Sequence, residues 1–200
     1  MYNLKANEDL LSIAASPLET GVLHKFRSHQ IDPKTKILLV GTFHPDIERS
    51  GDFFYCLTGN CLWKILPACF SENDLRGSQL CYKRDFMDRY HIDFIDIIGS
   101  LTPGFRGERL HYGDEFIDGY IDQWNDVEQI IDRLDYLESV YFTRKTFGRI
   151  PNIEKRVAEI RNHCVERSIR FSLLETPARF FNDSKINSWK LILIEKTICR

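Results

Sequence analysis

Four short apolar runs, separated by segments of helical period, predict a three-layer α/β/α sandwich around a central, mainly parallel four-stranded sheet. The runs are KILLVG (36–41), IDFIDII (92–98), SVYFT (139–143) and IRFSLL (169–174). Their nearly continuous apolar character suits strands buried on both faces. The helical spacers between them imply crossovers, which make neighbouring strands parallel.

After the first strand, an aromatic-rich loop leads to a helix expected over 60–68, and a second helix over 82–90 precedes the second strand. The segment IDQWNDVEQIIDRLDYL (121–137) places Trp124, Val127, Ile130, Ile131 and Leu134 on one helical stripe. PNIEKRVAEIRNHCVERS (151–168) does the same with Ile153, Val157, Ile160 and Cys164, and its proline suits a first helical turn. SKINSWKLILIEKT (184–197) fits a helix with Ile186, Trp189, Leu193 and Ile194 inward. Its LILI also fits a strand, and periodicity leaves both open.

Two hundred residues, 43% of them apolar and with no Pro/Gly/Ser-rich linker, predict a single domain over 1–200. Residues 1–33 are expected to form a helical or extended lead-in to it. A net charge of −2 and a pI near 6.3 neither demand nor exclude a polyanionic partner, which would need a local basic face. Cys56, Cys61, Cys69, Cys81, Cys164 and Cys199 show no CxxC pair and no matching histidine spacing. They read as reduced thiols of an intracellular protein rather than as disulfides or metal ligands. The amino-terminal residues do not read as a leader, and no apolar run reaches the roughly 18 residues of a membrane span. A cytoplasmic protein without a membrane partner is expected.

In parallel α/β sheets, ligands bind outside the carboxyl ends of the strands, and GTFHPD (41–46) lies at such an end. Gly41 lets the backbone pass close to a ligand and Pro45 fixes the turn, but one glycine is too few for a phosphate cradle. DFFYCLTGNCLW (52–63) then supplies Phe53, Phe54, Tyr55, Asn60 and Trp63. An aromatic face can stack on a heteroaromatic ring and a side-chain amide can read its edge, so these types suit a nucleobase pocket. Phe53 and Trp63 also fit as core aromatics, and Asn60 as a helix cap ahead of CLWKIL.

At these residues the chain resembles the uracil-DNA glycosylase superfamily, in particular its mismatch-specific and hypoxanthine-DNA glycosylase-like branches. ILLVGTFHP…FFYCLTGNCLW resembles the opening motif, DFIDII the second strand ending near Asp96, and SVYFTRKTF the later strand and turn. LLETPARFFNDSKINSWK (173–190) resembles the late loop and its helix, so the resemblance spans about 34–189. It implies a uracil-DNA glycosylase-like fold and a monofunctional DNA glycosylase of base excision repair. Such an enzyme hydrolyses the N-glycosidic bond of uracil or hypoxanthine in damaged DNA as a monomer, with neither cofactor nor metal. It also implies roles for particular residues. Asn60, His44 and Asp46 would be catalytic, His44 standing where the family has a water-positioning residue. Gly41, Thr42, Phe43, Pro45, Phe54 and Tyr55 would bind the base. Thr176, Pro177, Ala178, Arg179 and Phe180 would contact DNA, Thr176 at a phosphate and Arg179 or Phe180 in the gap left by the flipped base. Arg144 and Lys145 would neutralise phosphates. No lysine of these motifs stands where a Schiff base would need it. The chain departs from the family in having His44 in place of aspartate or asparagine, and Glu175 beside Thr176. Those departures keep two other readings in play: a glycosylase fold that only binds nucleic acid or a free base, and a small-nucleoside hydrolase. TPGFRGERLHYGD (102–114), with Arg106, Arg109, His111 and Tyr112, reads as a long surface connection with no assigned chemistry.

Overall fold

The computed structural model describes residues 21–47, 51–103, 112–178 and 181–194. In chain order the elements are β1 (Ile37–Gly41), α1 (Leu62–Cys69), α2 (Leu80–Tyr90), β2 (Ile92–Asp96), β3 (Ile98–Leu101) and α3 (Asp114–Ile117). They continue with β4 (Ile121–Trp124), α4 (Val127–Asp132), β5 (Ser139–Phe142), α5 (Pro151–Glu166), β6 (Arg170–Leu173) and α6 (Asp183–Leu193). The central sheet has the order β2-β1-β5-β6, and all its neighbours run parallel. The expected four-stranded sheet is therefore present, built from the four apolar runs.

Strand alternation divides the core. Leu38, Val40, Val140 and Phe142 face the layer of α4 and α5, where they meet Val127, Ile131, Ile153, Val157 and Ile160. Leu39, Phe94 and Tyr141 face the opposite layer, where α1, α2 and α6 contribute Leu62, Trp63, Phe86, Trp189 and Leu193. α1 packs directly on α6.

Two expectations are corrected. The run 92–98 is not one strand, because it divides at Ile97: its N–H still donates to Gly41 O (3.0 Å), after which the chain turns off to pair Ile98 with Trp124. The stripe over 121–137 is likewise not one helix. Its first four residues form β4, antiparallel to β3, and leave Trp124 partly exposed, 37%. The helix begins only after Asp126, whose carboxylate accepts the Gln129 N–H at 2.9 Å. Asn125 decides the break, because its side-chain amide donates to Asp96 O at 2.7 Å and its backbone N–H to Ile97 O at 2.8 Å. The carboxy-terminal ambiguity resolves as helix, capped by Asn182 on the Lys185 N–H at 2.8 Å. No helix among the described residues is long and apolar enough to cross a membrane.

Candidate functional site

The connection leaving β1 runs toward α1, and the one leaving β5 toward α5 on the opposite face. Between these two strands the sheet has its switch point, where ligand crevices form outside the carboxyl ends. Gly41 sits at that point. A Cβ there would stand 2.2 Å from Asp96 Oδ1 and 2.4 Å from the Tyr55 hydroxyl, so only glycine lets these two groups approach the strand end. The Tyr55 hydroxyl lies 3.0 Å from Thr143 Oγ1, which itself donates to Val40 O at 3.3 Å. The phenol is therefore the donor to Thr143. Burial first, and then the Asp96 charge, raise its pKa well above the usual value, so Tyr55 remains a protonated donor. Its φ of 57° is left-handed, a costly conformation for a bulky residue that its surroundings must enforce.

A buried network does the enforcing. The Tyr55 N–H donates to His44 Nε2 at 2.8 Å, and the other nitrogen of that ring bonds Asp96 Oδ2. His24 joins from the lead-in: its Nε2 lies 2.8 Å from the same carboxylate oxygen, and its Nδ1 accepts the Phe26 N–H at 3.1 Å. Because each imidazole accepts from a backbone N–H, each neutral ring carries its proton on the nitrogen facing Asp96. Burial pushes the Asp96 carboxyl up, but its electrostatic pairing with the His44 ring and the hydrogen bonds from both imidazoles outweigh it. The carboxyl is held well below the ordinary carboxylate range.

His24, His44 and Asp96 also offer three ligand atoms within 4.8 Å of one another. They do not suit a metal ion. Ligation through the nitrogens facing Asp96 would move each ring's proton to the other nitrogen, where it would confront the N–H of Phe26 or Tyr55. A metal-bound histidine needs an acceptor there, not a donor.

On the α1 side of this network, Asn60 and the late loop meet. Asn60 and Ala178 form an antiparallel bridge, and the Cys61 N–H donates to Pro177 O at 2.9 Å. Asn60 Oδ1 accepts the Leu62 N–H at 2.9 Å, which fixes the amide's orientation, and Nδ2 has no hydrogen-bond partner among the described residues. The loop is held from behind by α6. Buried Lys185 donates to Thr176 O (3.0 Å) and Ala178 O (3.3 Å), and Trp189 Nε1 to Glu175 O (3.0 Å). In front of Asn60 lies a cleft of about 590 Å³, lined among others by Phe53, Tyr55, Asn60, Trp63, Ser78 and Lys83. That volume lies within the roughly 300–1,000 Å³ of small-molecule sites.

The cations expected to face DNA carry acids. Arg144 Nη1 donates to Asp114 Oδ2 at 2.6 Å, and Lys145 Nζ lies 3.5 Å from Glu175 Oε1. Burial raises the Asp114 carboxyl even though Arg144 and Thr42 bind it.

The expected residues therefore separate into groups. Asn60 and Tyr55 line the cleft, and Pro177 and Ala178, with Thr176 in the same loop, pair with Cys61 and Asn60 beside it. His44 belongs to the buried network and has both ring nitrogens engaged, so it holds Tyr55 and has no lone pair left to activate water. Asp46 turns outward to Arg27, 3.1 Å away, which removes it from the cleft. Phe54 offers no base-stacking face: its ring is enclosed by Phe26, His29 and Phe94 at centroid distances of 4.6, 5.3 and 5.8 Å. Phe53, one residue away, lines the cleft instead. Phe43 packs into the α4–α5 core, Pro45 bridges His24, and Gly41 and Thr42 form the strand end. Arg179, Phe180, Arg106, Arg109, His111 and Cys199 lie outside the described residues. The other five cysteines are free thiols. Sequence reasoning missed His24, whose place in the lead-in has no motif, and Lys185, whose polar position within an inward helical stripe was the available signal.

No protein-family model matches the sequence, and no curated protein matches it. The fold does superpose on the solution NMR structure of a Methanosarcina acetivorans protein provisionally named a uracil DNA glycosylase. The TM-score is 0.57 at 16% identity, over 81% of this chain and 91% of that one. At that identity the likeness is one of architecture: the chain has a uracil-DNA-glycosylase-like α/β fold.

Proposed function

We propose that the protein is a monofunctional DNA glycosylase that hydrolyses the N-glycosidic bond of a deaminated base, uracil or hypoxanthine, in damaged DNA. The observation that carries this reading is the Asn60–Ala178 bridge, which joins the late loop to a residue whose side-chain amide donor lines an aromatic cleft. Asn60 Nδ2 donates to a carbonyl of the extruded base and stabilises negative charge as the base departs. The same group's Oδ1 stays on Leu62 N–H, which keeps the donor aimed. His44 acts through Tyr55, holding the loop rather than activating water. Thr176 and Lys145 face the phosphates flanking the base. The enzyme acts as a cytoplasmic monomer, with no cofactor in the reaction.

One observation favours a second reading, a hydrolase or binding module for a free nucleoside or base. Arg144 and Lys145, the expected phosphate contacts, both already face carboxylates. Such a protein would keep the cleft and need no basic rim.

The test is incubation with oligonucleotides carrying one uracil or one hypoxanthine, followed by alkaline strand cleavage and gel analysis. Wild type should cleave at the modified position, and Asn60→Ala should lose about 10²–10³-fold in rate with folding intact. Unchanged cleavage by Asn60→Ala would remove that residue from the chemistry. Base release from a free deoxynucleoside without any strand scission would select the second reading.

A further inference from the structure

We propose that Glu175 is a specificity-determining residue of the loop that pairs with Asn60 beside this cleft: its carboxylate occupies, on Lys145, the place that a substrate phosphate would take. A polyanion engages the rim by displacing it. The proposal rests on reading the cleft as a nucleic-acid site.

β5 and β6 are parallel neighbours with Phe142 opposite Leu173. Lys145 and Glu175 therefore leave the same sheet edge side by side, three and two residues beyond those ends. The Glu175 backbone is fixed through its carbonyl by the Trp189 indole. Its side chain is exposed, as is that of Lys145, at 42% and 38%. Lys145 Nζ lies 3.5 Å from Glu175 Oε1 and 3.4 Å from Ser188 Oγ. An exposed, long pair of this kind contributes little to stability. A phosphate oxygen offers a stronger charge-assisted partner, so the exchange is easy for the lysine. The carboxylate remains tethered beside the incoming phosphate, however, and repels it.

Arg144 is the control within the same turn. It meets Asp114 at 2.6 Å, with side chains only 25% and 17% exposed, and its Nε donates to Thr146 O at 2.6 Å. Taking Arg144 away would strand a largely buried carboxylate, so this cation holds the turn and does not exchange. Two adjacent cations thus have different duties, and Glu175 sets how readily the exchangeable one accepts phosphate.

The experiment is fluorescence-anisotropy titration of labelled single-stranded and duplex oligonucleotides, each with one uracil, from about 50 to 200 mM salt. Wild type, Glu175→Gln, Lys145→Ala and the double variant are compared. Glu175→Gln should bind roughly three- to tenfold tighter at about 0.1 M salt, with a log–log salt slope steeper by about one phosphate contact. Lys145→Ala should abolish that gain in the double variant. A gain of affinity is not a result that misfolding produces. Unchanged binding by Glu175→Gln, or a gain that survives Lys145→Ala, overturns the proposal. If wild type binds DNA in either case, the glycosylase reading stands without it; if no variant binds DNA, both fall together.

Discussion

The His24–Asp96–His44 network and the rim formed by Lys145, Glu175 and Thr176 lie at the same edge of one sheet, yet they use polar groups in opposite ways. In the network, three side chains almost without solvent contact share short hydrogen bonds whose directions are fixed by the backbone N–H groups of Phe26 and Tyr55. On the rim, the Lys145–Glu175 pair is exposed and 3.5 Å long. Buried polar groups are costly to leave unpaired, so the network is rigid. Exposed ion pairs are nearly neutral in energy, so the rim is exchangeable. One region therefore holds Tyr55 and the aromatic loop in shape, and the other can trade partners with a ligand.

The sharpest way to break this contrast is Asp96→Ala, which leaves two buried imidazole N–H groups without their common acceptor. A loss of about 3–5 kcal/mol is expected in urea denaturation. A loss below about 1 kcal/mol would mean that the network is no more rigid than the rim.

Acid should attack the same group. Asp96 has a folded-state pKa depressed below its unfolded value, so its contribution is fully present above the unfolded pKa of about 3.9. It is lost progressively as pH falls from there through the folded value. Thermal melts of wild type should drop over that window. Asp96→Asn, if it folds, should show a flatter acid limb, and an identical limb would remove Asp96 from the account.

Next in size is Gly41→Ala, whose Cβ has no room beside Asp96 Oδ1 and the Tyr55 hydroxyl. It should cost about 1–3 kcal/mol, with Tyr55→Phe relieving part of the penalty in a double-mutant cycle. Additive effects would show that the two groups do not meet at Gly41.

Lys185→Met tests the boundary between the regions, because it unties Thr176 O and Ala178 O without touching the cleft. About 1–2 kcal/mol of stability should go, and hydrogen exchange in the 175–178 segment should quicken more than in β5. Equal quickening everywhere would make Lys185 a general core residue instead. The smallest effect on stability belongs to Glu175→Gln, within about 0.5 kcal/mol, although it should change DNA binding most. A larger loss would place Glu175 with the rigid region.

Much of the architecture was legible because local periodicity reports burial. The four apolar runs became the four parallel strands, and Ile153, Val157, Ile160 and Cys164 formed the buried stripe of α5. The stripe from Trp124 onward misled because Asn125 tethers the chain to Asp96 O and Ile98 O, and that tertiary bond outweighs local helical preference. At the site, strand order told only that the first and the late loop leave carboxyl ends of one parallel sheet; the pairing of Asn60 with Ala178 is a tertiary contact that no local pattern carries. The distinction between Phe53 and Phe54 did not follow, because adjacent aromatics in a loop carry no period that says which one faces the cleft.

By itself, the order of residues determined the number of central strands, their parallel sense and the layers that cover them. Those properties arise from hydrophobic patterning within windows of ten to twenty residues. Only the tertiary structure decided that His44 is locked to Asp96, that His24 completes the lock, and that Lys145 faces Glu175. His24 and His44 lie 72 and 52 residues from Asp96, and hydrogen bonds across such separations leave no spacing in the chain. They exist because the folded sheet brings those atoms together and burial makes it costly to leave any of them unpaired.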